Sequence, residues 1–241
     1  MGYTFITGAT SDIGRQICHI LEKSGYSLLL TDWSEEALVN TISELDPQKS
    51  HKYITLDLSN INDSKKYLTT FLKEHDIRIE NVVYAAGVFT VKPVKILNYE
   101  FVKRNFDIAV FSTIMISQVL TSRKYNGASL KSIVFLSSIS AVMGTKGYTI
   151  YGAVKAAMLG AMKSMASEFA PRVRVNAVLP GGVRTKTTAF LYEGIESSNP
   201  RYLLGNGEVS DIANMIEFLL SNKSKWITGQ EFIVDGGFLC N

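Results

Sequence analysis

Short apolar runs alternate with amphipathic stretches along the whole chain. Tyr3–Thr7, Tyr26–Thr31, Tyr53–Leu56, Asn81–Ala85, Ile133–Leu136, Val173–Val178 and Glu231–Val234 are apolar runs with many β-branched or aromatic residues, and they predict strands. Between them, Ile13–Ser24 places apolar residues at 13, 17, 20 and 21, which is one face of a helix. Trp33–Leu45, Asn62–Glu74 and Ser210–Leu220 also read as helices. Glu35 and Glu36 fall in the first turn of theirs, where the dipole favours negative charge. Tyr99–Ser122 predicts one long helix. Its Ala109–Leu120 part is apolar on most faces, which implies burial within the domain or against another subunit. Thr149–Phe169 predicts a second long helix carrying Gly152, Ala153, Ala156, Ala157, Gly160 and Ala161, small residues that permit close packing. Lys124–Ser132 is polar and reads as a loop, and Pro180–Asn206 reads as irregular.

Repeated strand–helix alternation argues for a parallel sheet covered by helices on both faces, and apolar strands fit a sheet buried on both sides. With right-handed crossovers this becomes an α/β, doubly wound parallel sheet of the Rossmann type, with about seven strands. The 241 residues show no linker, repeat or low-complexity segment, so one domain over 1–241 is expected.

Composition narrows the partners. Lys and Arg total 25 against 22 Asp and Glu, and they are intermingled. The tightest basic cluster, Arg172 and Arg174, alternates with valines and reads as a strand rim, so nucleic acid is not expected. The two cysteines, Cys18 and Cys240, have neither disulfide nor metal spacing, and His19, His51 and His75 are scattered, so no metal site is expected. No run is long enough to span a membrane. No leader is evident, and Ile6 stands where a myristoylation signal wants Ser or Thr. A reducing, cytoplasmic setting is the expectation.

Two constellations carry candidate chemistry. The first strand runs into Gly8, Ala9, Thr10, Ser11, Asp12, Ile13 and Gly14 and then a helix. Such a turn offers backbone N–H groups and a positive dipole end to a diphosphate. Gly8 suits the tight turn and Gly14 a close helix–strand contact. Asp32 ends the second strand eighteen positions after Gly14, where a carboxylate can accept from ribose hydroxyls. Further on, Tyr151 and Lys155 are four apart and share a helix face. A lysine cation one turn away favours the phenolate, so Tyr151 is expected to exchange a proton with a substrate oxygen. Ser138, at the end of the fifth strand, is placed to hydrogen-bond the same oxygen.

Together these residues resemble the short-chain dehydrogenase/reductase family over nearly the whole chain. Thr7, Gly8 and Gly14 match its glycine motif, and Ser138, Tyr151 and Lys155 match its catalytic triad. The segments 176–185 and 227–237 resemble its nicotinamide loop and C-terminal signature. The resemblance implies hydride transfer between a nicotinamide cofactor and a carbonyl or secondary alcohol. It implies Asn105 as a fourth catalytic residue, Asp57 and Leu58 around the adenine, and Ala85, Ala86 and Gly87 at the fourth strand's exit. Pro180, Gly181, Val183 and Thr185 would lie along the nicotinamide, with a substrate loop over about 183–206. Its overall pattern is similar to 3-oxoacyl-acyl-carrier-protein reductases, with sugar, polyol and steroid dehydrogenases near them. A non-catalytic dinucleotide sensor is the alternative of another class. Ser11 and Trp33 are uncharged where a 2′-phosphate would need a cation, so NAD(H) is expected over NADP(H). Arg15, beyond Gly14 on the helix, is expected to point elsewhere. A homo-oligomer, tetramer before dimer, is implied through the two long helices. Two positions depart from the family pattern. Asp12 replaces a glycine in the phosphate turn, and Tyr84 stands where Asn is preferred, a change expected around the cofactor pocket.

Overall fold

A computed structural model describes residues 2–189 and 199–240. Seven strands form one all-parallel sheet in the order β3-β2-β1-β4-β5-β6-β7. They are β1 (Gly2–Thr7), β2 (Ser27–Asp32), β3 (Lys52–Thr55), β4 (Arg78–Tyr84), β5 (Ser132–Leu136), β6 (Arg174–Pro180) and β7 (Glu231–Val234). Successive side chains of a strand point to opposite faces. Phe5, Leu29, Val82 and Phe135 therefore enter one core, and Ile6, Leu28, Leu30, Val83 and Val134 enter the other. The first core is closed by α3 (Ile61–Glu74), α5 (Ser112–Thr121) and α7 (Thr149–Phe169). The second is closed by α1 (Asp12–Lys23), α2 (Glu35–Ser43) and α8 (Val209–Leu220). The doubly wound sheet expected from the apolar pattern is the fold.

Helix starts follow local side-chain chemistry. Ser11 accepts from the Gly14 amide at 3.1 Å and Ser34 from that of Ala37 at 3.3 Å, each satisfying a first-turn donor. Glu208 and Asp211 form a reciprocal capping box at α8.

Two predicted elements differ from the structure. The stretch expected as one helix over 99–122 is α4 (Tyr99–Phe106), a π-helical segment (Asp107–Phe111) and then α5. The stretch expected as a loop over 124–132 holds a further helix, α6 (Arg123–Asn126), and the first residue of β5. Its polarity was misleading because Asn126 is fully buried. Its Oδ1 accepts from the Ile79 amide at 2.7 Å, and its Nδ2 donates to Ile79 O at 2.8 Å and Leu120 O at 2.9 Å. A short polar segment is thus used to close the edges of a helix and a strand. Arg174 has a comparable inward role, donating to Leu219 O and Ser224 Oγ at the end of α8.

The sheet order reverses between β1 and β4, the place where open α/β sheets form a crevice at their strand ends. The register pairs Thr7 with Tyr84 and Thr31, Asp32 with Thr55, and Leu136 with Val178. Residues just past these pairs therefore share one edge of the molecule.

Candidate active site

The β1–α1 turn is built on contacts that need glycine. Gly8 has φ +68, and a Cβ on it would stand 2.8 Å from Ala86 N and Cα. A Cβ on Gly14 would stand 2.1 Å from Gly8 O. Thr7 Oγ1 accepts from the Ala86 amide at 3.1 Å, tying the exits of β1 and β4 together. In α1's first turn the Gly14 amide goes to Ser11 Oγ and that of Arg15 to Ser11 O. The amides of Asp12 and Ile13 have no protein partner among the described residues, and both residues line a cleft of about 390 Å³. Unclaimed donors at a helix N-terminus beside an open cleft suit an anion, so the turn fits the diphosphate of a dinucleotide.

At the same edge, Asp32 is fixed from both sides. Its Oδ2 accepts from Thr10 Oγ1 at 2.6 Å and Thr10 N at 3.3 Å, and its Oδ1 from Trp33 N at 2.8 Å. Trp33 is exposed. Arg15 pairs with Glu44, so its guanidinium is committed away from Asp32. Asp57 Oδ1 accepts from Ser59 Oγ at 2.7 Å and from the Ser59 amide at 2.9 Å, and these bonds hold its carboxyl below the usual range. Leu58 is buried beside it.

The opposite half of the cleft is a wall from β5 and α7. Ser138 leaves β5 in extended conformation and accepts from the Ser140 amide at 3.1 Å, starting a tight turn over 139–141. Gly152 lets α7 lie against that turn, since a Cβ there would be 2.8 Å from Ser140 O. The next-door Tyr151 is thereby held against Ser138. Burial pushes the pKa of the Tyr151 hydroxyl up, and a hydrogen bond to Ser138 offsets only part of that rise. This differs from the lowering expected from its spacing to Lys155. The Lys155 ammonium lies 5.8 Å from the Tyr151 ring centre and donates to Leu136 O at 2.7 Å. Burial itself pushes Lys155 from 10.5 down to about 8. Desolvation is the largest cause at both groups.

Of the positions expected to bind or react, Ser11, Asp12, Ile13, Ala85, Gly87, Ser138, Tyr151, Lys155, Pro180, Gly181, Val183 and Thr185 line this one cleft. Gly8, Thr10, Gly14, Asp32, Trp33, Asp57, Leu58 and Ala86 belong to the strand-end edge running away from it. Asn105 does not line it. Asn105 is buried in the last turn of α4, with Nδ2 donating to Phe101 O at 2.8 Å, two residues before the π-helical segment. Tyr84 does not reach the cleft either. Its hydroxyl shares a 2.8 Å hydrogen bond with Ser117 Oγ in the core, and its ring packs on Phe135. That position joins β4 to α5 and does not reshape the pocket.

Of the aromatic lining, the sequence did not single out Phe89 or Phe238. Phe89, Tyr148 and Tyr151 meet edge to face with centres 5.1–6.0 Å apart. Across the cleft, Tyr202 packs on Phe238 at 4.8 Å and its hydroxyl accepts from the Gly182 amide at 2.8 Å. Met143, Thr145 and Asn199 complete this end. Phe89 and Phe238 are 149 positions apart (238 minus 89), so no local pattern could join them. Phe190, Leu191, Tyr192, Glu193 and Glu196 of the expected substrate loop lie outside the described residues.

A switch-point crevice with a Ser–Tyr–Lys wall defines a class: a nicotinamide-dependent oxidoreductase built on a doubly wound sheet. The family model described as enoyl-(acyl carrier protein) reductase matches residues 8–239, and the chain belongs to the short-chain dehydrogenase/reductase family. Cyclopentanol dehydrogenase of Comamonas testosteroni is 30% identical over 243 residues, 98% of this chain and 96% of the relative. The 3-oxoacyl-[acyl-carrier-protein] reductase of Thermotoga maritima is also 30% identical, over 97% of this chain and 96% of its own. Among solved structures, a 4-hydroxyisoleucine dehydrogenase complexed with NADH superposes with a TM-score of 0.90 at 26% identity, covering 100% of both chains. A Brucella melitensis family member described as glucose/ribitol dehydrogenase gives 0.88 at 29% identity, covering 98% of this chain and 96% of that one. Relatives with unlike substrates are equally similar, so identity alone does not select a substrate.

Proposed function

We propose that this protein moves a hydride between NAD(H) and a compact ketone or secondary alcohol with an apolar body. The observation that carries the reading is the shared cleft: Ser138, Tyr151 and Lys155 face the space that begins at Ser11, Asp12 and Ile13. A bound nicotinamide ring would supply or accept the hydride. Tyr151, kept protonated by burial, gives its proton to the substrate oxygen in the reducing direction. Ser138 Oγ holds that oxygen. Lys155 orients the nicotinamide ribose, and burial lowers it to about 8. Asn105 serves as a relay position behind the lysine, placed by α4 where it packs against α7. Asp32 and Trp33 face the adenosine ribose; Thr10 holds Asp32, and Asp57 and Leu58 face the adenine. Gly8 and Gly14 shape the turn whose amides meet the diphosphate. Ala85, Ala86 and Gly87 form the floor, and Pro180, Gly181, Val183 and Thr185 border the nicotinamide.

Aromatic walls from Phe89, Tyr148, Tyr202 and Phe238 favour an apolar body over a sugar or polyol, whose hydroxyls need many polar partners. A 3-oxoacyl thioester is the second reading, supported by the similarity to the Thermotoga maritima reductase. NAD(H) is favoured because a fixed Asp32 carboxylate accepts from a 2′-hydroxyl and repels a 2′-phosphate. The same reading includes a cytoplasmic protein and a homo-oligomer, tetramer before dimer. The test is initial rates with NADH and NADPH against cyclic ketones, linear ketones, a 3-oxoacyl thioester and keto sugars. Turnover is expected with NADH and the small cyclic or linear ketones. A protein that binds NADH yet reduces none of the panel and oxidises none of the matching alcohols is a sensor, and the reading fails.

A further inference from the structure

Asp12, the departure in the phosphate turn, does something specific in this structure. Its Oδ2 accepts from the Lys186 amide at 2.6 Å, across 174 positions of sequence. Lys186 belongs to a turn closed by its own hydrogen bonds: Thr185 N donates to Thr188 Oγ1 at 3.0 Å, and Thr188 N to Thr185 Oγ1 at 3.2 Å. Thr188 Oγ1 also donates to Val183 O at 3.0 Å, anchoring the turn to the exit of β6. The bond therefore joins the start of α1 to a preformed unit on the far lip of the cleft. Asp12, Thr185, Thr187 and Thr188 all line that cleft.

We infer that the Asp12 carboxylate is the cleft's resident anion: it holds the 185–188 turn to the start of α1 until a dinucleotide diphosphate takes its place. Three observations combine. Asp12 is the first residue of α1, so its carboxylate sits at the positive end of the helix dipole, where an anion is stabilised. The amides of Asp12 and Ile13 beside it are unclaimed, so the same spot can serve a ligand anion. The carboxylate already contacts an amide of the opposite lip and so bridges the two sides of the groove. Two anions within a few ångströms disfavour each other, so the groove does not hold both in one arrangement. Asp12 is thus a positioning residue that trades affinity for a turn kept docked in the free protein.

This inference rests on the dinucleotide reading, and the test separates the two. Binding is measured by calorimetry with ADP-ribose, which carries the diphosphate, with adenosine, which does not, and with NADH. Asp12→Gly removes both charge and hydrogen bond. Asp12→Asn removes the charge but leaves an oxygen that can accept from the Lys186 amide. Both variants are expected to bind ADP-ribose and NADH about tenfold tighter, with adenosine changed less than about twofold. Trypsin cleavage after Lys186 in the ligand-free protein, read by mass spectrometry, is expected to speed up several-fold in Asp12→Gly and to stay near the parent rate in Asp12→Asn. Circular dichroism verifies that each variant is folded, and the milder Asn variant tests the charge alone if the Gly variant is not. Unchanged or weaker ADP-ribose binding in Asp12→Asn, or an equal gain for adenosine, overturns the exchange. If the parent itself binds neither NADH nor ADP-ribose, the dinucleotide reading falls and this inference with it.

Discussion

At the scale of single residues, Tyr151 and Lys155 show how spacing and environment divide the work. Their separation of four placed both on one helix face and in one cleft, as the sequence suggested. Their proton chemistry followed from burial, which a sequence does not display: Tyr151 is raised and Lys155 is lowered. Tyr151→Phe keeps the ring against Phe89 and Tyr148 and removes the proton. Turnover is expected to fall about a hundredfold or more while NADH binding, followed by fluorescence, is retained. For Lys155, the unfolded chain keeps its proton up to about 10.5, whereas the folded protein releases it near 8. Burying the cation therefore costs its full amount below about pH 8, and that cost disappears as the pH rises towards 10.5. Lys155→Met has no such cost. The melting temperature of this variant minus that of the parent, both without cofactor, is expected to be nearly flat up to about pH 8 and to decrease from there to pH 10. A difference that stays flat or grows up to pH 10 would show that Lys155 is not lowered.

At the scale of elements, what was legible depended on whether a signal is local. The ends of β1 and β2 and the start of α1 were readable because glycines, caps and an acid sit within one short span, and they fall where expected. The break at Asp107–Phe111 was not, because a π-helical turn needs neither proline nor glycine and leaves the apolar pattern intact. It begins two residues after Asn105, whose own side chain is held within α4 by Phe101 O. The helix ending at Asn126 was hidden for another reason: buried polar residues look like loop residues until their partners are known. Asn126→Ala would leave the amide and carbonyl of Ile79 and the carbonyl of Leu120 short of a partner. It is expected to cost roughly 2–3 kcal/mol in urea unfolding, with activity per folded molecule unchanged. The end of β2 makes a different prediction. Asp32→Ala with Trp33→Arg removes the carboxylate beside Thr10 and adds a cation. The ratio of kcat/KM for NADH over NADPH is expected to fall by about tenfold or more, or to invert. A ratio left intact would assign cofactor choice to other residues.

For the whole molecule, the two helices once expected to be apolar outside leave a specific surface. On α7, Ala153, Ala156 and Gly160 are exposed, a flat stripe of small residues, and Phe111 is exposed at the start of α5. Small residues let a second helix approach closely, and an exposed phenylalanine adds apolar area to the surface. Light scattering at micromolar concentration is expected to give about four times, or at least twice, the chain mass of 26.6 kDa. A monomeric mass would leave these helices as ordinary outer faces. Among the described residues no helix is long and apolar enough to cross a membrane.

The strand order has a consequence for how such a chain comes together as it is made. β2 settles beside β1, β3 beside β2, β4 on the free side of β1, and β5, β6 and β7 follow outward one at a time. Every strand, taken in order of synthesis, meets an edge that already exists, and none has to be threaded between two that are already paired. A ribosome releasing this chain from its N-terminus could therefore let the sheet grow at its two margins, keeping one open edge capped by the next arrival. The cleft is the last part to be completed by this route. Its floor between β1 and β4 is laid down early, but Phe238 arrives only after β7, so the emerging chain holds most of its catalytic wall before the pocket has its final side.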